Sequence, residues 1–163
     1  MKMIVAVDRN WGIGKDGGLL TSIPEDMEFF KTKTMGHVVA MGRRTFESFP
    51  GLKALPGRTN IVLTTNKDWQ GEGAFVVHSR EELDEKLKTY ESDSIYIIGG
   101  GHVYREYLDQ CDAVYVTHID ADFDADTWFP NLEADERFVR EDEVLLDGVR
   151  NGVGFRAYKW VKK

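Results

Sequence analysis

The feature that most constrains this chain is a set of apolar runs too short for helices and too continuous for strands with a wet face. Val38–Met41, Ile95–Ile98 and Ala113–Ile119 have almost no polar interruption. Runs of roughly four to eight such residues read as strands covered on both sides, the habit of parallel sheets. Met3–Val7, Ile61–Thr65 and Phe75–His78 are further strand candidates. Helical patterns lie between them. Ser22-Ile23-Pro24-Glu25 is spaced as a capping box and opens a helix to about Lys33. Ser79-Arg80-Glu81-Glu82 opens another to about Thr89. Shorter helices are expected over Thr45–Phe49, stopped by Pro50-Gly51, and over His102–Leu108. Near the end, Arg137–Leu146 and Gly154–Val161 flank two turn signals, Asp147-Gly148 and Asn151-Gly152, so an antiparallel hairpin is expected there. The expected architecture is a single α/β domain over 1–163. Its mostly parallel sheet has an antiparallel C-terminal edge and helices on both faces.

Composition removes several classes. A chain of 163 residues fits one domain at ~150 residues per domain and needs no metal or disulfide staple. Cys111 is the sole cysteine, so no intrachain disulfide forms and a reducing cytoplasm is the expected setting. No apolar run reaches the ~20 residues that span a bilayer, and MKMIVAVDRN has no signal-peptide core. The net charge of −7 argues against nucleic-acid binding, although a local basic patch can still hold an anion. His37, His78, His102 and His118 are scattered, with no metal-ligand spacing.

Three places carry chemistry. Ile23, Asp26, Met27 and Phe30 share one helical face. Asp26 reads either as a solvated acid in a first turn or as a carboxylate in an apolar pocket, able to bind the N–H groups of a ligand. Ile98-Gly99-Gly100-Gly101-His102-Val103-Tyr104 feeds three glycines from a strand into a helix. That is either a tight turn or a site where phosphate approaches backbone N–H groups closely. Val38–Thr45 repeats the arrangement, with Gly42, the forked donors Arg43 and Arg44, and Thr45 as a helix-capping hydroxyl. Two such strand ends suit a dinucleotide pyrophosphate, with Thr64-Thr65 near an adenosine phosphate. Leu55-Pro56-Gly57-Arg58 sets an arginine after a rigid turn, where it is either solvated or reaches a substrate carboxylate. Nucleophile elbows, HExxH and P-loop motifs are missing.

Together these segments resemble the dihydrofolate reductases of the bacterial chromosomal type. AVDRNWGIG (6–14), IPEDMEFFK (23–31), MGRRTFES (41–48), LPGRTNIVLT (55–64), IIGGGHVY (97–104), VTHID (116–120) and DTWFP (126–130) stand in the family's order. The resemblance implies an eight-stranded central sheet and NADPH-dependent reduction of dihydrofolate to tetrahydrofolate. It casts Asp26 as the carboxylate that binds the pterin, with Thr117 hydrogen-bonded behind it. Phe30 would pack on the pterin and aminobenzoyl parts, and Arg58 would pair with the glutamate α-carboxylate. Ile4, Leu19, Met27, Leu55 and Ile98 would line the pocket, with the Ile98 carbonyl near the pterin amino group. For NADPH it implies Ala6, Ile13, Gly42, Arg43, Arg44, Thr45, Leu63, Thr64, Thr65, Gly99, Gly100, Gly101, His102, Val103, Tyr104 and Thr127. Arg43 and Thr65 would hold the 2′-phosphate, and Gly99-Gly100 would be a cis peptide. A monomer open to antifolate inhibitors is expected. Two departures stand out: Leu20-Thr21 replace the family's Pro-Trp, and the segment around Asn10-Trp11 is two residues longer. Another heterocycle as substrate, or a non-catalytic NADPH-binding module, are the competing readings.

Overall fold

The apolar runs form strands whose residues alternate between two covered faces. The structure, a computed structural model, describes residues 1–163. Twelve strands and four helices follow in the order β1 (Lys2–Val7), β2 (Gly12–Lys15), β3 (Gly18–Leu19), α1 (Pro24–Thr34), β4 (Val38–Gly42), α2 (Arg43–Glu47), β5 (Thr59–Leu63) and β6 (Ala74–Val77). The chain continues through α3 (Arg80–Leu87), β7 (Ile95–Ile97), α4 (Gly101–Tyr107), β8 (Ala113–Ile119), β9 (Thr127–Trp128), β10 (Phe138–Arg140), β11 (Leu146–Arg150) and β12 (Val153–Lys162). The main sheet has the order β10-β12-β8-β1-β7-β4-β5-β6. Pairings from β8 to β6 are all parallel, and those of β12 are antiparallel. The path therefore has the eight strands expected, and β11 adds a ninth by pairing with β12 alone.

Each face has its own core. Met3, Val5, Val7, Val38, Ala40, Ile61, Ile95, Ile97, Val114 and Val116 meet Leu83 and Leu87 of α3 and Val103, Tyr104 and Tyr107 of α4. The intervening residues Ile4, Val39, Met41, Val62, Tyr96 and Tyr115 meet Phe46 of α2 and, half-buried, Phe29 and Phe30 of α1. This period of two is why the runs carry almost no polar residue: water has neither side. It also sends Thr117 to the α1 side and His118 to the other. There Trp11 packs edge-on against His118 at 5.2 Å, and burial pushes the imidazole pKa down to about 4.

Three local expectations are corrected. Ser22 does not cap α1. The chain stays extended through Ile23, which sits at the cap position without a side-chain bond, and Ser22 turns its hydroxyl to the Met27 sulfur at 3.2 Å. Burying Ile23 against Ile119 and Phe155 outweighs one capping bond. Thr45 is not a cap either, because α2 starts two residues earlier, after Gly42. Asp147-Gly148 is not a turn but lies within β11; the reversal is made by Asn151-Gly152, whose φ values are 51° and 79°. Gly148 faces the Phe155 ring, which a Cβ would approach to 2.6 Å. The glycine thus serves packing, not turning. Ser79, by contrast, caps α3 as expected, accepting from the Glu82 amide at 3.1 Å.

A feature outside those expectations is a second sheet of three short strands, β3-β2-β9. It joins the segment after β1 to the segment after β8. No helix is long and apolar enough to cross a membrane.

Candidate active site

The chemistry gathers where the parallel strands end. Gly42 of β4 lies in register with Leu63 of β5, and β7 gives way to Ile98 and the three glycines. Ligands of open α/β sheets bind at this carboxyl edge, where backbone groups are released from the ladder.

On the α1 side, the Thr117 hydroxyl donates to Asp26 Oδ1 at 2.5 Å, across 91 residues of sequence. Asp26 has no cationic partner. Burial raises its pKa above the ordinary carboxylate value, and the Thr117 hydrogen bond works against that rise. A half-buried carboxylate with a spare oxygen is equipped to accept from ligand N–H groups. Ile4, Phe30, Leu55 and Ile98 belong to one apolar cluster beside it. Met27 and Leu19 are exposed, Leu19 at 75%, so neither closes the pocket by itself. Leu20 and Thr21 lie half-buried between β3 and α1.

Arg58 reaches this region through two supports. Its Nη1 donates to Thr34 Oγ1 at 3.2 Å and its Nε to the Pro56 carbonyl at 3.0 Å. Thr34 is fully buried. The turn carrying Arg58 is tied by Asn60, buried within β5. Asn60 accepts from the Leu55 amide at 2.9 Å and donates to the carbonyls of Leu55 and Arg58 at 3.0 and 3.1 Å. Thr34 and Asn60 were absent from the sequence reading. For Asn60 a signal existed: an amide side chain at the head of the run Ile61–Leu63 needs a partner once buried.

The second half of the site is a cradle. The Gly42 amide donates to the Gly99 carbonyl at 2.9 Å, so the two glycine-bearing strand ends touch. A Cβ on Gly99 would lie 2.9 Å from Thr45 Oγ1, and one on Gly101 would lie 2.8 Å from Thr127 Cγ2. The Gly99-Gly100 peptide is cis, as the resemblance implies. Arg43 pairs with Glu47 at 3.5 Å, and Arg44 and Thr65 are exposed. Thr64 is buried, its hydroxyl accepting from the Asn66 amide at 3.2 Å. These groups suit a dinucleotide: donor-rich and cationic, with no side chain on the turn to hold phosphates away. Val103 is buried beside Gly42, whereas His102 is exposed and faces Glu106 at 3.8 Å. Tyr104 is a strut, its hydroxyl donating to the Ile4 carbonyl at 2.8 Å. Ala6 and Ile13 lie half-buried at the edges of other apolar clusters.

The sequence model of the family described as Dihydrofolate reductase matches residues 1–161. The chain is 37% identical to the dihydrofolate reductase of Enterococcus faecium over 158 residues, covering 96% of this chain and 93% of that one. It is 42% identical to dihydrofolate reductase type 3 of Salmonella typhimurium over 132 residues, 80% of this chain and 78% of the other. A solved dihydrofolate reductase from Enterococcus faecalis, complexed with NADP(H) and RAB-propyl, superposes with a TM-score of 0.85 at 35% identity, over 99% of this chain and 95% of that one. With the Asp26–Thr117 pair and the glycine cradle in place, the chain belongs to the dihydrofolate reductase family, the oxidoreductases that reduce dihydrofolate with NADPH.

Proposed function

We propose that the chain reduces 7,8-dihydrofolate to 5,6,7,8-tetrahydrofolate by hydride transfer to pterin C6, with N5 protonated from solvent. The observation that carries this reading is the half-buried Asp26 carboxylate, unpaired with any cation and steadied by Thr117. Asp26 binds the pterin through its ring N–H and 2-amino groups and fixes its orientation. Thr117 holds the carboxylate at one oxygen and leaves the other for the ligand. Ile4, Phe30, Leu55 and Ile98 exclude water from the ring, with Leu19 and Met27 at the mouth. Arg58, set by Thr34 and Asn60, pairs with the glutamate α-carboxylate.

NADPH, when bound, supplies the hydride. Gly42 and Gly99–Gly101 let its pyrophosphate approach the backbone. Arg43 and Thr65, with Arg44 close by, hold the 2′-phosphate and so favour NADPH over NADH. Thr45, Leu63, Thr64, His102, Val103 and Tyr104 complete that side, with Ala6, Ile13 and Thr127 toward the nicotinamide. No side chain of the site is an evident proton donor for N5, which is why solvent water is assigned that task. The same reading takes the protein as one domain, a cytoplasmic monomer, and a target of antifolates.

The test is to mix purified protein with NADPH and follow the loss of reduced-nicotinamide absorbance when dihydrofolate is added. Rapid, methotrexate-sensitive and NADPH-preferring loss is expected. Tight NADPH binding with no dihydrofolate-dependent loss would sink the reading in favour of another heterocycle or a binding module.

A further inference from the structure

The chain carries a net charge of −7, yet one patch on the α1 face of the main sheet gathers cations without counter-ions. Lys2 opens β1 and has Tyr96 of β7 as its neighbour; Tyr115 of β8 lies beside Ile4 and has Lys159 of β12 on its other side. Lys33, in the last turn of α1, reaches the same row. Its ammonium lies 4.8 Å from the centre of the Tyr115 ring and 5.7 Å from that of Phe29. Lys159 lies 5.9 Å from the Tyr115 ring, and Lys2 5.7 Å from the Tyr96 ring. The two phenol rings are 6.3 Å apart, so the three ammoniums share one floor. His37 adds an imidazole 5.6 Å from the Tyr96 ring.

The cations of this patch are unpaired. The lysines that form ion pairs are Lys15 and Lys88, and Lys162 finds a backbone carbonyl. Lys2, Lys33 and Lys159 have neither kind of partner, although they are half-buried in a chain with 28 acidic residues. Ring faces hold them instead, and that contact leaves the N–H donors of each ammonium free. The tyrosines are unsatisfied too. Tyr96 is 3% exposed and Tyr115 7%, but the tyrosine hydroxyls that donate within the protein are those of Tyr104 and Tyr107. No unpartnered side-chain polar atom is sealed from solvent. The Tyr96 and Tyr115 hydroxyls therefore reach the surface, where an incoming group can meet them. Burial and the neighbouring Tyr115 phenol push the Tyr96 pKa up to about 12, so its hydroxyl remains a donor at neutral pH.

We propose that Lys2, Lys33 and Lys159, with the Tyr96 and Tyr115 hydroxyls, form a second anion site that takes a phosphate group. Lysines bring compact charges from several directions, which suits the tetrahedral oxygens of phosphate. A planar carboxylate is better matched by an arginine fork, and these five residues include none. Three ammoniums also exceed the single charge of a carboxylate. The site lies at the amino end of β1, whereas the cradle lies at the carboxyl edge of the sheet. Bound cofactor therefore leaves it open. The ligand is a phosphate group, free or esterified to a small molecule, and the site stands independently of the dihydrofolate reading.

The test uses protein whose cradle is saturated with NADP+. Pyrophosphate, inorganic phosphate and phenyl phosphate are titrated separately at low salt, and the ring resonances of Tyr96 and Tyr115 are followed by NMR. Saturable shifts of both rings are expected, with a midpoint on the order of 1 mM for pyrophosphate. Tighter binding of the inorganic ions marks a site for free phosphate, and tighter binding of phenyl phosphate marks a site for an ester; either order upholds the proposal. Lys33→Met and Lys159→Met keep the apolar stem and remove the charge, so each should weaken binding about tenfold. Lys33→Arg should retain most of the affinity. Shifts that never saturate, and that sodium chloride reproduces at equal ionic strength, would overturn the proposal, because the patch would then only be screened. Acetate binding as tightly as phosphate would overturn the choice of ligand, and unchanged affinity in both methionine variants would overturn the choice of residues. Should a variant fail to fold, the titration of the parent protein decides.

Discussion

Asp26 is where stability and function pull apart. Its burial raises the carboxyl pKa, so the folded protein holds a proton that the unfolded chain has already released. The sign follows directly. Stability falls as pH rises from the ordinary Asp value, ~3.9, through the folded value, above which the full cost of an ionised, desolvated carboxylate is present. Asp26→Asn removes that ionisation while keeping an oxygen for Thr117. The variant should melt higher than the parent at pH 7 and converge with it at acid pH. Its turnover should drop by about 10²-fold. Melting curves across pH, set beside steady-state rates, check both halves, and equal melting temperatures at neutral pH would contradict the burial argument. Thr117→Val makes a complementary case. Thr117 favours the charged form of Asp26, so its loss should move the Asp26-linked inflection of the pH–rate profile upward. An inflection that stays in place would mean Thr117 only fills space. Asp26 was visible in the sequence because helical spacing put an acid on an apolar stripe. Its bond to Thr117 was known only through the resemblance, since a contact across 91 residues has no local signal.

Elements announced themselves unevenly. Runs such as Ala113–Ile119 matched their strand to the residue, because a strand buried on both faces has one reading. The starts of α1 and α2 were misjudged, because capping signals are a local preference worth ~1 kcal/mol and tertiary burial readily outweighs them. Ser79 shows the case without competition: α3 lies with a polar outer face, and its cap forms as the sequence suggests. Ser79→Ala should therefore lower stability by about 1 kcal/mol and leave turnover unchanged. Denaturant titration and a rate assay on the same preparation test this, and a loss below ~0.3 kcal/mol would show the cap to be idle. The three-stranded β3-β2-β9 sheet went unread for a different reason. Two of its strands are only two residues long, and they exist only because β1 and β8 end side by side and release their chains to the same edge.

For the whole molecule, the late strand β12 decides integrity. It pairs with β8, β10 and β11 at once, and its Trp160 is 5% exposed, with Nε1 toward His118 Nε2 at 3.4 Å and its ring 5.9 Å from Trp11. The two cores share one sheet, so neither can melt alone. Unfolding should be a single transition, coincident by far-UV and near-UV signals, which would bear out one domain over 1–163. Trp160→Ala should shift that transition down by ~3–5 kcal/mol without splitting it. Two resolved transitions would show the C-terminal strands to be a separate unit.

What the sequence determined by itself was whatever depends on near neighbours in the chain. That covers the period-two runs behind the parallel sheet, the acid on the apolar stripe of α1, the glycines at two strand ends, and the motif order that marks the family. Only the tertiary structure decided which of these meet. Thr117 reaches Asp26 because β8 runs beside β1 with its odd residues toward α1. Gly42 touches Gly99 because β4 and β7 are neighbours in the sheet. Asp8 accepts from Asn10 and Gly12 on one segment and from Phe123 on another because β1 and β8 end side by side. Spacing along a chain encodes local conformation, whereas burial and partnership across a hundred residues exist only once the strands have chosen their order.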